Sequence, residues 1–256
     1  EKTILEEGPN KVLAFVVECV GGLSTGALVS TPEYYSLIRE ICNKYDVLLI
    51  FDEVMSGVGR TGTFLAAEHW PNCVPDLVVL AKGLSAGYSP LGAVLVPNWL
   101  LEPIVKNGGF MHGHTYASNP LSCAVANAVL EEVKKQDIIS NVKNIGPYLS
   151  EGLAEIARNS KIIGDVRGLG LLLAIEIVKN KTTKKMFGPD MRAVYRLAEI
   201  GLENGILLYT RKTSGGQFGE WMMITPPLNI SKKEVDHLLC LLGKTIKQFE
   251  KEIDII

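Results

Sequence analysis

Residues 47–90 read VLLIFDEVMSGVGRTGTFLAAEHWPNCVPDLVVLAKGLSAGYSP and contain two short apolar runs, Val47–Phe51 and Leu77–Ala81. Neither run has a periodic polar position, and turn-forming residues bound both. This pattern is typical of strands buried on both faces of a parallel sheet. Asp52 follows the first run and Lys82 follows the second. Because ligand sites in open α/β sheets lie outside the carboxyl ends of the strands, we expect these two charges to face one crevice.

A carboxylate and a lysine held in this way suit pyridoxal phosphate chemistry. The lysine amine forms a Schiff base with the cofactor aldehyde. The carboxylate pairs with the pyridine nitrogen and keeps it protonated. The protonated ring then withdraws electrons from the carbanion that forms when the substrate Cα–H bond breaks. The spacing alone is equally compatible with a structural salt bridge at the end of the sheet.

The residues around this pair carry further motifs along the chain. In chain order they are Asp52-Glu53-Val54, Gly57-Val58-Gly59-Arg60-Thr61-Gly62, Asp76-Leu77, Ala81-Lys82-Gly83, His114-Thr115-Tyr116, Asn119-Pro120, Val166-Arg167-Gly168 and Thr225-Pro226-Pro227-Leu228. Together they resemble the signature of the class III pyridoxal-phosphate-dependent aminotransferases. The signature is long and specific, and the resemblance covers essentially the whole chain.

The resemblance implies a role for each of four residues. Lys82 would carry the Schiff base and, once freed by the substrate, move a proton between the substrate Cα and cofactor C4′ as general base. Asp52 would hold the pyridinium, and Val54 would pack on the ring face. Thr115 would bind the cofactor phosphate from the neighbouring subunit of a homodimer with composite active sites. The substrates would be an amine or amino acid donor and a 2-oxo acid.

The implied architecture is fold type I of the pyridoxal-phosphate enzymes. We expect a three-layer α/β large domain with a mostly parallel sheet over residues 1–155, and a C-terminal α+β small domain over 156–256. The large domain would be incomplete. A strand-like run, 12–17, comes almost at once, and the phosphate loop and ring-stacking aromatic residue of the family's N-terminal half are not recognisable. We therefore interpret the chain as the C-terminal part of a longer enzyme.

Other functions compete with this interpretation. The glycines at 57, 59 and 62 form a G-x-G-x-x-G, but residues 52–56 separate it from the strand, so a dinucleotide site is disfavoured. His112 and His114 lack a third nearby ligand, so no metal site is expected. An aminomutase of the same fold shares this machinery, and fold alone does not fix the reaction. A non-catalytic partner chain that kept the fold is a further alternative.

Composition indicates an ordinary globular protein. The net charge of the 256 residues is −2, which favours neither nucleic acid nor an anionic membrane surface as a partner. The five cysteines are scattered and odd in number, which is typical of reduced thiols and predicts a cytoplasmic location. No apolar run is long enough to span a bilayer.

Two positions bear on the substrate. Ornithine- and GABA-type members of the family place a glutamate in the loop after the first strand and an arginine just before the Pro-Pro pair. The matching residues here are Leu23 and Met223. Both members of the charged pair are replaced together, which predicts a more apolar substrate pocket.

Overall fold

The structure is a computed structural model that describes residues 1–212 and 219–254. The chain divides into two compact units. The first comprises Glu1–Cys19 and Ser30–Asp137, and the second comprises Val20–Val29 and Ile138–Ile256. The expected domain boundary at residue 155 falls inside the helix Ile138–Asn159. That helix contacts elements of the second unit, so the division by contacts comes earlier, after Asp137.

The first unit is built on a four-stranded sheet. Its strands are Ala14–Glu18, Leu48–Asp52, Leu77–Leu80 and Ala93–Leu95, here β1 to β4, and its helices are Lys2–Glu7, Pro32–Lys44, Asn98–Lys106 and Pro120–Lys135, here α1 to α4. The strand order is β1-β2-β3-β4; β1, β2 and β3 are parallel, and β4 is antiparallel to β3. The predicted mostly parallel sheet is confirmed, whereas the short helix α3 was not anticipated from the sequence.

Register aligns the carboxyl ends of the parallel strands. Glu18 of β1 pairs with Asp52 of β2, and Asp52 pairs with Val79 of β3. Lys82 comes three residues after Val79, so it leaves the sheet at the edge where Asp52 lies. On β2, Leu49 and Phe51 are fully buried, while the alternate residues are only partly covered by the part of the chain that is described.

Helix starts follow their sequence signals. Helix α2 lies between β1 and β2 and has Pro32 at its first position, where the missing N–H of proline costs no hydrogen bond. Helix α4 begins at Pro120, and the Asn119 side chain accepts the backbone N–H groups of Leu121 and Ser122. Because those N–H groups have no partner inside the helix, this cap stabilises the segment that follows the His114-Thr115-Tyr116 motif.

The second unit contains an antiparallel sheet, as expected for an α+β unit. Its strands are Ile163–Leu169, Leu172–Ile177, Tyr209–Lys212 and Glu220–Ile224, here β5 to β8, in the order β5-β6-β8-β7; its helices are Ile138–Asn159, Ala193–Glu203 and Lys232–Asp254, here α5 to α7. Helix α7 begins with a capping box in which Glu234 accepts from the Ser231 backbone and Glu234 N donates to the Ser231 hydroxyl. Strand β7 was not predicted.

The two faces of this sheet have different neighbours. Met222 and Ile224 of β8 belong to a large apolar core that residues of α5, α6 and α7 share. Trp221 and Met223 point to the opposite face, because successive residues of a strand alternate. Both are nevertheless buried, at 3% exposure each. No helix within the described residues is long and apolar enough to cross a membrane.

Candidate active site

Asp52 is the last residue of β2 and is half-buried. Its Oδ1 accepts the backbone N–H of Val54 at 2.9 Å. The second carboxylate oxygen accepts no hydrogen bond from any other described residue. Asp52 is therefore oriented through one oxygen, and the other is available to a donor from outside the chain.

Lys82 has an unusual backbone. It opens a 3-10 turn, Lys82–Ser85, directly after β3, and its φ is +38°. Left-handed backbone is rare for a residue with a side chain and costs about 1–3 kcal/mol, so it persists only where the surroundings impose it. The side chain is exposed. Strain of this kind clusters at functional sites, which supports the predicted importance of this lysine.

Hydrogen bonds and packing fix the turn that carries Lys82. Ala81 O accepts Leu84 N–H at 2.9 Å, and the Ser85 hydroxyl donates to Ser89 O at 2.6 Å. The Ser89 hydroxyl lies 2.8 Å from that of Ser122 in α4. The Leu84 side chain is buried in an apolar cluster with residues of β3 and α4. The turn that carries Lys82 is thus held by contacts with β3 and α4.

Asp52 and Lys82 form no ion pair with each other or with any other residue in ranges 1–212 and 219–254. The structural salt bridge that spacing alone allowed is therefore not present. A free primary amine and a carboxylate with an open oxygen, at one edge of one sheet, fit the groups that pyridoxal phosphate requires: an amine for its aldehyde and an anion for its ring nitrogen.

Glu53 is a residue whose importance the sequence analysis missed. It is 1% exposed, and its two oxygens accept Ala66 N–H at 2.6 Å and Ala67 N–H at 2.8 Å. Burial raises the pKa of this carboxyl group, and the two backbone N–H groups partly offset that effect. Glu53 therefore ties the end of β2 to the turn at 65–67. An acid directly after a buried strand was the available signal.

Val54 and the glycine-rich turn at residues 57–62 come next in the chain after Glu53. Val54 is half-buried and lies two residues beyond Asp52, on the same loop. Gly59 and Gly62 have φ values of +90° and +95°, and Gly62 N–H donates to Gly59 O at 3.0 Å. These glycines allow tight turns, because side chains rarely adopt such φ values. The G-x-G-x-x-G does not open a helix, which a dinucleotide fingerprint requires.

Thr115 lies in an exposed loop ahead of α4. Ala117 N–H donates to His114 O at 2.9 Å, so the motif forms a turn. The Thr115 hydroxyl has no hydrogen bond to another described residue, and it is accessible from outside the chain. The rings of His112 and His114 are 5.1 Å apart. The described residues contain no group of three or more potential metal ligands.

The next residue of interest in this loop is Ser118, whose φ is +56°. Ser118→Gly is expected to raise the free energy of unfolding by about 0.5–1 kcal/mol, because relief of left-handed strain exceeds the added freedom of the unfolded chain. Urea unfolding measures the free energy of unfolding of the variant and of the unchanged protein. The neighbouring Ala117→Gly has no such strain to relieve and should lower stability by about 0.4–1 kcal/mol. Equal effects of the two substitutions would contradict the argument.

Comparisons with known proteins identify the family. Residues 1–246 match the family model for class III aminotransferases. An uncharacterized aminotransferase of Bacillus subtilis is 39% identical over 249 residues, which are 96% of this chain and 56% of that protein. A putrescine–pyruvate aminotransferase of Pseudomonas aeruginosa is 37% identical over 249 residues, covering 97% of this chain and 52% of that protein.

Solved structures give the same result. A transaminase from the marine bacterium Virgibacillus superposes with a TM-score of 0.93 at 33% identity, covering 98% of this chain and 56% of that one. An amine transaminase from an uncultivated Pseudomonas species, in its PLP-bound form, superposes with a TM-score of 0.87 at 32% identity. The match covers 96% of this chain and 55% of that one. The chain thus spans about half the length of the relatives it matches. With a family model matched from residue 1 to residue 246, the chain belongs to the class III aminotransferases.

Proposed function

We propose that this chain forms part of a pyridoxal-phosphate-dependent aminotransferase that moves an amino group between an amine or amino acid donor and a 2-oxo acid. The observation that carries the proposal is the placement of Asp52 and Lys82. Both lie at the carboxyl edge of the parallel strands, each is free of an ion pair among the described residues, and Lys82 is held in strained backbone.

The chain's own residues would divide the work as follows. When bound, pyridoxal phosphate supplies the electron sink. The open oxygen of Asp52 would hold the ring N–H and keep that nitrogen protonated. The Lys82 amine would hold the cofactor through its aldehyde and, once freed by the donor, would accept the proton from the donor Cα. Val54 would contribute apolar atoms beside the ring. Glu53 fixes the end of β2 that carries Asp52 and the residues that follow it.

The test of this function is release of an oxo product. Incubation of the complete enzyme with an amine donor and pyruvate should yield alanine and the carbonyl form of the donor in equal amounts. An aminomutase would instead return a positional isomer of the donor and no free carbonyl compound. That result would reject amino transfer while leaving the site assignment in place.

We propose that the donors are amines and ω-amino acids with an apolar approach to the amino group. Leu23 and Met223 stand where a charged pair would accommodate a carboxylate, and an apolar wall disfavours charged substrate ends. A relative named as a putrescine–pyruvate aminotransferase supports this class of donor. In a donor panel, the best ω-amine should exceed glutamate and ornithine in kcat/KM by about tenfold or more. A higher kcat/KM for glutamate or ornithine than for every ω-amine would contradict this donor class.

We propose that the enzyme is a homodimer in which Thr115 binds the phosphate held in the partner's site. The support is the exposed Thr115 hydroxyl, which has no hydrogen bond to another described residue. A hydrogen bond to a charged acceptor contributes about 1.5–3 kcal/mol, so a threonine hydroxyl is a useful phosphate donor. An isologous twofold contact would create two equivalent sites.

Subunit exchange tests the shared site. Mixed Lys82→Ala and Thr115→Val subunits should regain activity well above that of either variant, because one site of each hybrid dimer then carries neither substitution. Up to half of the wild-type activity per hybrid dimer is expected. If Thr115 serves its own subunit, every hybrid site carries one substitution and no recovery occurs.

Two further proposals concern the whole protein. We propose that the phosphate loop and the ring-stacking aromatic residue belong to the part of the relatives that this chain does not match. We also propose a cytoplasmic location, supported by five free cysteines. One of them, Cys73, is buried, and burial raises the pKa of its thiol to about 11, so the reactive thiolate form is disfavoured. Fractionation of the source cells tests the location.

A further inference from the structure

Residues 20–29, here the 20–29 segment, connect β1 and α2 of the first unit but belong by their contacts to the second. The segment starts two residues after Glu18, which pairs with Asp52 across β1 and β2. The chain therefore leaves the sheet at the edge that carries the proposed site, and it is then held by residues more than a hundred positions away in sequence.

Trp221 provides the first attachment. Its indole Nε1–H donates to Leu23 O at 2.9 Å, and the side chain is 3% exposed. A buried indole N–H needs a partner, and here that partner is the backbone of Leu23. Trp221 and Met223 lie two residues apart on β8 and share one face of the sheet. The contact therefore brings Leu23 to the sheet face that bears Met223.

Arg167 provides the second attachment. Its Nε donates to Gly26 O at 2.7 Å and its Nη2 to Thr25 O at 3.3 Å. Glu176 on the adjacent strand, and Asp165 at 3.0 Å, hold the guanidinium in place from the sheet. The guanidinium presents its N–H donors in a rigid, planar fork. Because the two carboxylates fix Nη1, they also orient Nε and Nη2 toward the 20–29 segment. Arg167 thus orders the strand pair and also binds the segment.

Close packing at Gly26 completes the attachment. A Cβ at this position would lie 2.7 Å from Trp221 Cγ and 2.9 Å from Arg167 Nη2. No side chain fits between the segment and these two residues. Within the segment, Gly21 N–H donates to Leu28 O at 2.8 Å and Gly26 N–H to Gly22 O at 3.0 Å. The 20–29 segment is therefore a closed loop pressed against Trp221 and Arg167.

We propose that Arg167 and Trp221 are positioning residues for donor selectivity: they fix Leu23 beside Met223 and so maintain the apolar wall. This inference rests on the proposed aminotransferase function. Neither residue touches a reacting atom in this scheme. They act through Leu23, which lies in the segment that these two attachments hold.

Hydrogen exchange tests the attachment without using activity. Trp221→Phe keeps an aromatic ring at this position and removes the N–H donor together with part of the indole; Trp99→Phe makes the same change at an exposed site. In the complete enzyme, the amides of Gly21 and Gly26 should exchange about fivefold faster, which corresponds to one lost hydrogen bond. Arg167→Lys loses the fork to Gly26 and Thr25 and should accelerate the same amides by about tenfold or more. The exposed Trp99→Phe and Arg158→Lys serve as matched controls with no change.

Steady-state kinetics test the consequence. In both variants, KM for the best ω-amine should rise about three- to tenfold while kcat with a saturating donor stays within about twofold, since Asp52 and Lys82 are untouched. KM for pyruvate should change less than KM for the amine. Faster exchange together with this donor-dependent KM change supports the proposal.

The remaining outcomes overturn it. Unchanged exchange of Gly21 and Gly26 would show that the segment is held by other contacts. Faster exchange with an unchanged KM for the amine, or with a uniform loss of kcat, would reduce the two residues to a structural role. Failure of the proposed function is distinguishable, because the wild-type enzyme would then transfer no amino group while the exchange results stand by themselves.

Discussion

Lys82→Ala is expected to eliminate both covalent cofactor binding and amino transfer in the complete enzyme. Without the Nζ amine, borohydride reduction should no longer attach the cofactor to the protein, and turnover should fall by about a thousandfold or more because the proton carrier is lost. Peptide mapping after borohydride reduction measures covalent attachment of the cofactor, and pyruvate-dependent turnover measures amino transfer. Lys106→Ala removes an exposed lysine of α3 and serves as the control with unchanged activity.

Two observations would contradict this assignment. If the Lys82→Ala enzyme still formed a borohydride-reducible linkage, another lysine would be the cofactor residue. If turnover survived with the linkage lost, Lys82 would anchor the cofactor without moving the proton. A Lys82→Gly variant adds a physical check, since it should be equally inactive yet more stable by about 1 kcal/mol after relief of left-handed strain.

Asp52→Asn should have the second largest effect, a loss of about a hundred- to a thousandfold in kcat. The amide oxygen can still accept the Val54 N–H, so the loop geometry is preserved while the negative charge beside the ring nitrogen is removed. Without that charge the pKa of the nitrogen falls, and the protonated ring persists only at lower pH. Residual activity of the variant should therefore rise on acidification.

The exposed Asp46→Asn is the matched control, because it exchanges the same groups away from the site. It should leave kcat and its pH profile unchanged. Substrate turnover between pH 5 and pH 9 measures both. A variant at Asp52 that kept full activity, or that lost it equally at every pH, would show that this carboxylate does not protonate the ring nitrogen.

Sequence predicted the first unit well because its signals are local. An unbroken apolar run followed by a charge placed Asp52 and Lys82 after strand ends, and Pro32 and Pro120 are local signals that stand at the starts of two helices. The Lys82 turn was less visible, since nothing in Ala81-Lys82-Gly83 indicates a left-handed lysine. That conformation comes from the packing of Leu84 and the bonds of Ser85.

Long-range contacts explain what the sequence could not predict. The hydrogen bonds of the buried Glu53 carboxylate come from residues 66 and 67, and no local pattern indicates these contacts. The same holds for the 20–29 segment, which looks like a flexible glycine-rich connection when considered alone. Its membership of the second unit depends on Arg167 and Trp221, which are 141 and 198 residues away from the backbone oxygens they bind.

That separation has a consequence for biosynthesis. A ribosome adds about 5–20 residues per second, so the 198 residues between Leu23 and Trp221 take about 10–40 s to make. During that interval β1, β2 and β3 can assemble, but the 20–29 segment lacks the part of its binding surface that Trp221 supplies. Its complete attachment must await β8, which makes it a late event with a high loop-closure cost. A nascent chain arrested before Trp221 should therefore be cleaved by protease within residues 20–29, and release of the full chain should protect them.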